Sequence, residues 1–134
     1  MLRRVIIKEE FVAITGDYKL AIVLNQLLEY AQQYASFVHV EYEEENGQNI
    51  PLIVNTGGWF NVTSEEVARQ TLMNISSKTM REYIKALVKK GWVEERDNPS
   101  HKWNRTKQYR VNHDQVRKSL LHVGYDSTVL TIEG

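Results

Sequence analysis

The sequence predicts a mostly α fold with a small β component (α+β), and three observations between Val62 and Asn112 carry that expectation. First, Thr63-Ser-Glu-Glu66 is a capping box: the Thr63 hydroxyl can accept from the Glu66 amide, and the Glu66 carboxylate can reach back. It opens a helix running to about Thr71. Second, Met73-Asn-Ile-Ser76 reads as a turn, and a longer helix follows over Ser77–Lys90, ended by a left-handed Gly91. Third, Trp92 to Arg96 and Thr106 to Val111 read as strands flanking a loop, Asp97 to Arg105. Helix, turn, helix and hairpin in that order are the layout of a winged helix-turn-helix.

The second helix decides what such a layout would be for. Met80, Tyr83, Ile84, Leu87 and Val88 fall at i, i+3, i+4, i+7 and i+8, one apolar stripe. Lys78, Glu82, Lys85 and Lys89 fall on the opposite face, with Arg81 at its edge. Packed helices carry solvated lysines too, so the spacing alone does not assign DNA contact. The distribution of charge favours it. The chain as a whole has 17 Lys+Arg and 17 Asp+Glu. Residues 64–118 hold 13 of the bases against 7 acids, while residues 1–63 hold 4 against 8. Positive charge therefore gathers on the helix-turn-helix and wing, where phosphates would sit.

At 134 residues the chain reads as a single domain with a real core. Residues 1–16 are an N-terminal strand or arm, 17–123 the core and 124–134 a tail. No apolar run approaches the ~20 residues of a membrane span. The N-terminal apolar run is too short for a signal peptide. The absence of cysteine excludes disulfides and thiolate metal sites and fits a cytoplasmic protein.

Taken in order, Val5 to Ile14 is rich in β-branched residues and predicts a strand. Thr15-Gly16-Asp17 is a turn into a helix from Asp17 to about Ala35. Leu20, Leu24, Leu27, Leu28, Ala31 and Tyr34 stripe that helix, and Ile22 and Val23 make its start apolar nearly all round. Such a helix is central. Phe37 to Tyr42 alternates, Glu43-Glu-Glu45 is acidic, and Asn46-Gly47 is the preferred type I′ turn pair. Ile50 to Val54 returns with a proline, the mark of an edge strand. An acidic tip of this kind serves solubility more often than docking. Gly57-Gly58 is a hinge or bulge before a short strand, Trp59 to Val62. After the wing, Asn112 caps a helix to about Val123, striped by Val116, Leu120 and Val123. Tyr125 to Gly134 alternates weakly and suits a strand or an arm.

Four segments carry a resemblance. Ala21-Ile-Val-Leu-Asn-Gln-Leu-Leu-Glu-Tyr30, Gly58-Trp-Phe-Asn-Val-Thr-Ser-Glu-Glu66, Ser76-Ser-Lys-Thr-Met-Arg81 and Trp103-Asn-Arg-Thr-Lys-Gln-Tyr-Arg-Val-Asn112 occur in this order. Together they resemble the winged-helix domain at the N-terminus of phage and prophage replication proteins of Gram-positive bacteria, over about residues 15–120. The resemblance implies a DNA-binding role in replication initiation, with other replication proteins as partners. Members of that family commonly continue into a C-terminal domain, and their pattern requires a shorter hairpin than the one around Asn46-Gly47.

Other chemistry finds little support. His39, His101, His113 and His122 show neither HxxxH nor HExxH spacing, so no metal is expected. There is no Walker-type loop, and no cofactor or catalytic residue is expected. The reading is therefore a non-enzymatic, cytoplasmic binder of double-stranded DNA. Ser77, Lys78, Thr79, Arg81, Lys85 and Lys89 of the second helix, with Lys102, Arg105 and Lys107 of the wing, are its candidate contacts. Glu82 would pair with Lys78 or Lys85 rather than read a base, and Trp103 would anchor the wing. Two alternatives use the same layout: a docking or homodimerising winged helix, and a transcriptional regulator with the same DNA surface.

Overall fold

The computed structural model describes residues 2–35, 39–54, 57–98 and 106–125. Among them five helices and two small antiparallel sheets form a mixed α+β architecture. The helices are α1 (Glu9–Thr15), α2 (Tyr18–Ala35), α3 (Ser64–Gln70), α4 (Ser77–Lys89) and α5 (His113–His122). The strands are β1 (His39–Glu45), β2 (Gln48–Val54), β3 (Phe60–Asn61), β4 (Val93–Arg96) and β5 (Gln108–Val111). No single helix among these residues is long and apolar enough to cross a membrane.

The core is built around α2. Ala21, Ile22, Val23, Leu24 and Asn25 are buried in succession, followed by Leu27 and Leu28. A helix apolar nearly all round needs neighbours on every side. It finds them in α1, α3, α4 and the second sheet. Its start is fixed by Asp17, whose Oδ1 accepts from the Lys19 amide at 2.7 Å. The side chain of Tyr34 lies outside those described.

The expected N-terminal strand over Val5–Ile14 is corrected. Residues 2–8 have no regular structure, and Glu9–Thr15 is helical. Glu9 and Glu10 stand in the first turn, where carboxylates complement the helix dipole. Gly16, at φ 73°, closes the helix by donating its N–H to the Val12 carbonyl at 2.8 Å. β-branched residues lose only a few tenths of a kcal/mol in a helix. Burying Phe11 outweighs that loss.

The hairpin forms around Asn46-Gly47, with φ 54° and 77°, the left-handed pair a type I′ turn requires. Its register runs from Glu45↔Gln48 to His39↔Val54. Pro51 falls opposite Tyr42, in a two-strand sheet where both strands are edges.

The second sheet has the order β3-β5-β4. Phe60 pairs with Tyr109, Glu95 with Tyr109, and Val93 with Val111. Side chains alternate across it. Phe60, Val93, Tyr109 and Val111 are buried inward, while Glu94, Arg96, Gln108 and Arg110 occupy the outer face. The expected strand Trp59–Val62 is thus trimmed to two residues. Asn112 caps α5 by accepting from the Gln115 amide at 3.1 Å. Val116 and Leu120 are buried, but Val123 is exposed, because α5 ends at His122 and Gly124 turns the chain away. The tail beyond Tyr125 and most of the loop between β4 and β5, with Trp103, lie outside the described residues.

Candidate nucleic-acid interface

Local chemistry sets α4 in place at both ends. The Ser76 hydroxyl accepts from the Thr79 amide at 3.1 Å. At the other end the Gly91 amide donates to Val88 O at 3.0 Å and the Trp92 amide to Leu87 O at 3.2 Å. This bond pair is a Schellman motif, which a residue in the left-handed region makes possible. Gly91 supplies it at φ 84°. In between, Met80, Ile84 and Leu87 are fully buried. The turn from α3 is tight: Leu72 (φ 56°) and Asn74 (φ 53°) both adopt left-handed backbone without being glycine. Thr63 caps α3 as expected, accepting from the Glu66 amide at 3.1 Å. The Glu66 carboxylate does not return the bond; it accepts from Arg69 and Gln70 instead.

The exposed face of α4 carries Lys78, Glu82, Lys85 and Lys89. They stand at i, i+4, i+7 and i+11, a stripe ~16 Å long at 1.5 Å per residue. None of the three lysines has an ion-pair partner among the described residues. The expected pairing of Glu82 with Lys78 or Lys85 is therefore not made. Ser77 is exposed at the first turn. Thr79 is half-buried, its Oγ1 accepting from Ser76 Oγ at 3.1 Å, so it belongs to the cap.

Arg81 stands apart. Its Nη1 and Nη2 donate to Glu95 at 2.6 Å each, and Nη1 also donates to the Tyr109 hydroxyl at 2.7 Å. Only about a quarter of its side chain is exposed (26%). The guanidinium is spent inside the fold, clamping α4 to β4 and β5. The hydrogen bonds from Arg81 hold the Glu95 carboxyl below its ordinary range. Burial pushes the Tyr109 hydroxyl up to about 12. Arg81, expected among the α4 contacts, is thus part-buried and ion-paired with Glu95 rather than free on the exposed face.

Of the cations expected in the connection between β4 and β5, Lys107 is ion-paired with Asp97. Lys102 and Arg105 lie outside the described residues.

The sheet adds residues that the sequence reading passed over. Trp59 is flanked by two guanidinium groups, Arg96 at 4.2 Å and Arg110 at 4.6 Å from its ring centroid. Arg96 also donates to Gln108 at 2.8 Å, and Arg110 to Glu94 at 2.8 Å. The signal was present as alternation: Glu94, Arg96, Gln108 and Arg110 are all even-numbered positions on paired strands, which puts them on one face. A guanidinium over an indole is a recurrent cation–π pair.

Comparison with protein-family models, with curated proteins and with solved structures finds no match.

Proposed function

We propose that this chain is a winged helix-turn-helix module that binds double-stranded DNA without catalysis. On this reading α3 and α4 are the helix-turn-helix, β4 and β5 carry the wing, and α4 enters the major groove. One observation carries it: α4 is capped, packed and clamped on one side, and on the other it exposes Ser77 together with Lys78, Lys85 and Lys89, which have no ion-pair partner among the described residues. A major groove about 12 Å wide admits a helix of this diameter. Lys78 and Ser77, near the N-terminus of α4, would reach furthest into it. Lys85 and Lys89 would follow the phosphates.

The resemblance of residues 15–120 to the phage replication domain supplies the setting of replication initiation. A transcriptional regulator would use the same surface on another site. Fluorescence anisotropy with a labelled duplex at 50 and 200 mM salt tests the DNA reading. Log affinity falling steeply with log salt is the expected result. Absence of binding at the lower salt overturns it.

A second reading, self-association, is favoured by a separate observation. Leu2, Ile6 and Ile7 are 86%, 55% and 54% exposed on the N-terminal segment.

A further inference from the structure

We infer that the arm Leu2–Lys8 is a donor strand that pairs with the open edge of β1 in a second copy of this chain, and that the exchange is reciprocal. This inference does not depend on DNA binding.

The arm has the composition of a strand without a strand's pairing. Val5, Ile6 and Ile7 are β-branched, the residues that favour a pleated surface. Yet residues 2–8 have no regular structure, and Leu2, Ile6 and Ile7 face solvent. It is held at its end by Lys8, whose carbonyl caps α1 by accepting from the Phe11 and Val12 amides at 3.0 and 3.1 Å, and before that by Arg3, whose Nη1 donates to the Arg69 carbonyl at 3.5 Å on an exposed site. A segment outside any helix or sheet is what strand addition uses.

The hairpin offers one edge rather than two. A two-residue turn closes on a hydrogen-bonded pair, here Glu45↔Gln48, and antiparallel pairs then alternate. Tyr42↔Pro51 therefore falls at a non-hydrogen-bonded pair, where the backbone N and O of each residue point away from the partner strand. On β2 that outward nitrogen belongs to proline and has no hydrogen. The β2 edge is interrupted at its middle. On β1 the outward groups are those of Val40, Tyr42 and Glu44, each with a donor and an acceptor. Among the described residues β1 pairs only with β2.

Charge and length select the occupant. The arm holds Arg3, Arg4 and Lys8 and no acid, while β1 holds Glu41, Glu43, Glu44 and Glu45 and no Lys or Arg. The arm and β1 are seven residues each. Within one chain the arm lies beside α3 instead, through Arg3. A reciprocal exchange between two copies satisfies both edges and closes a two-fold dimer, whereas a one-way exchange would leave an open chain of subunits.

The test uses charge exchange in the full chain. One variant carries Arg3→Glu and Arg4→Glu; the other carries Glu43→Lys and Glu45→Lys. Circular dichroism and thermal melting check that each is folded. Sedimentation equilibrium at tens of micromolar then reads the mass. Wild type should be a dimer. Each variant alone should associate at least ~10-fold more weakly, because like charges now face each other. An equimolar mixture should recover the dimer, since each arm again meets an opposite strand. A monomeric wild type overturns the inference, as do variants that dimerise like wild type or a mixture that stays monomeric. Hydrogen exchange on wild type gives an independent reading should a variant misfold. The amides of Val40, Tyr42 and Glu44 should gain protection as concentration rises, and exchange that ignores concentration overturns the inference.

Discussion

The Arg81 guanidinium and the Glu95 carboxylate face each other across α4 and β4 through two hydrogen bonds, both 2.6 Å long. Bidentate geometry of this kind is strong and directional. The two side chains are 26% and 19% exposed, so solvent screens the pair only in part. Removing the arginine leaves a half-buried carboxylate and a buried Tyr109 hydroxyl without their donor. Arg81→Ala should therefore cost about 2–3 kcal/mol of stability. Lys78→Ala, on the exposed face three residues away, should stay within about 0.5 kcal/mol. Urea denaturation of both variants checks this. Under the proposed function the effects on DNA affinity reverse: Lys78→Ala weakens binding of a folded protein, and Arg81→Ala acts only by loosening α4.

The same clamp sets a dependence on pH. The folded-state pKa of Glu95 lies below its ordinary value of 4.5, chiefly through the hydrogen bonds from Arg81. Its contribution is complete above that ordinary value and is lost as pH falls through the folded value. At the alkaline end Tyr30 and Tyr109 are both pushed up to about 12 by burial. A raised folded pKa contributes fully below the ordinary ~10 and is lost as pH rises from there to about 12. Melting temperature against pH should fall on both flanks, and Glu95→Gln should flatten the acid one. Absorbance at 295 nm should show Tyr30 and Tyr109 titrating last, together with unfolding. Early titration of all seven tyrosines would contradict the burial of these two.

The two ends of α4 give separable costs. A Cβ on Gly91 would meet Gln115 Cγ at 3.7 Å, an ordinary contact, so space is not the obstacle. The left-handed φ of 84° is. Gly91→Ala should destabilise by about 1–2 kcal/mol, and Gly91→Asn by less, since Asn tolerates that region better. Ser76→Ala removes the cap on Thr79 and should cost about 1 kcal/mol. Chemical denaturation curves measure both, and additivity in the double mutant would follow from their separation along the helix.

Much of this architecture was legible because local chemistry and periodicity agreed. Thr63, Ser76, Gly91 and Asn112 mark helix ends by their own side chains or backbone freedom. The stripe Met80-Ile84-Leu87 needs no knowledge of its partner to be read as a buried face. Asn46-Gly47 fixes the hairpin's register on its own. Val5 to Ile14 misled because composition was read without its termini: Glu9-Glu10 and Gly16 are helix punctuation around Phe11. Arg81 misled for a different reason. Its partner, Glu95, is 14 residues away. A count of charges cannot tell a spent cation from a free one. The pairs Arg69–Glu66, Lys107–Asp97, Arg110–Glu94 and Arg117–Asp114 remove further cations from the same count. What remains on α4 is a smaller but better ordered set.

That set supports a quantitative prediction. If Lys78, Lys85 and Lys89 each neutralise one phosphate, each releases counterions when DNA binds. Replacing one of them with Gln should lower the slope of log affinity against log salt by about 0.9 on B-DNA. The triple variant should lose about 2.7 by the same relation, with stability unchanged, since all three side chains are exposed. Phosphates carry no sequence information, so affinity for specific and random duplexes should fall together. Lys78 is the exception to watch. Standing in the first turn of α4, it is placed to meet a base edge, where loss would fall on one sequence by ~1–3 kcal/mol. Lys102→Gln with Arg105→Gln applies the same measurement to the loop between β4 and β5. A slope that moves with the loop pair but not with the α4 lysines would take α4 out of the proposed groove contact and leave the loop between β4 and β5 as the binding element. A slope that moves with neither would remove DNA from the partners of this chain.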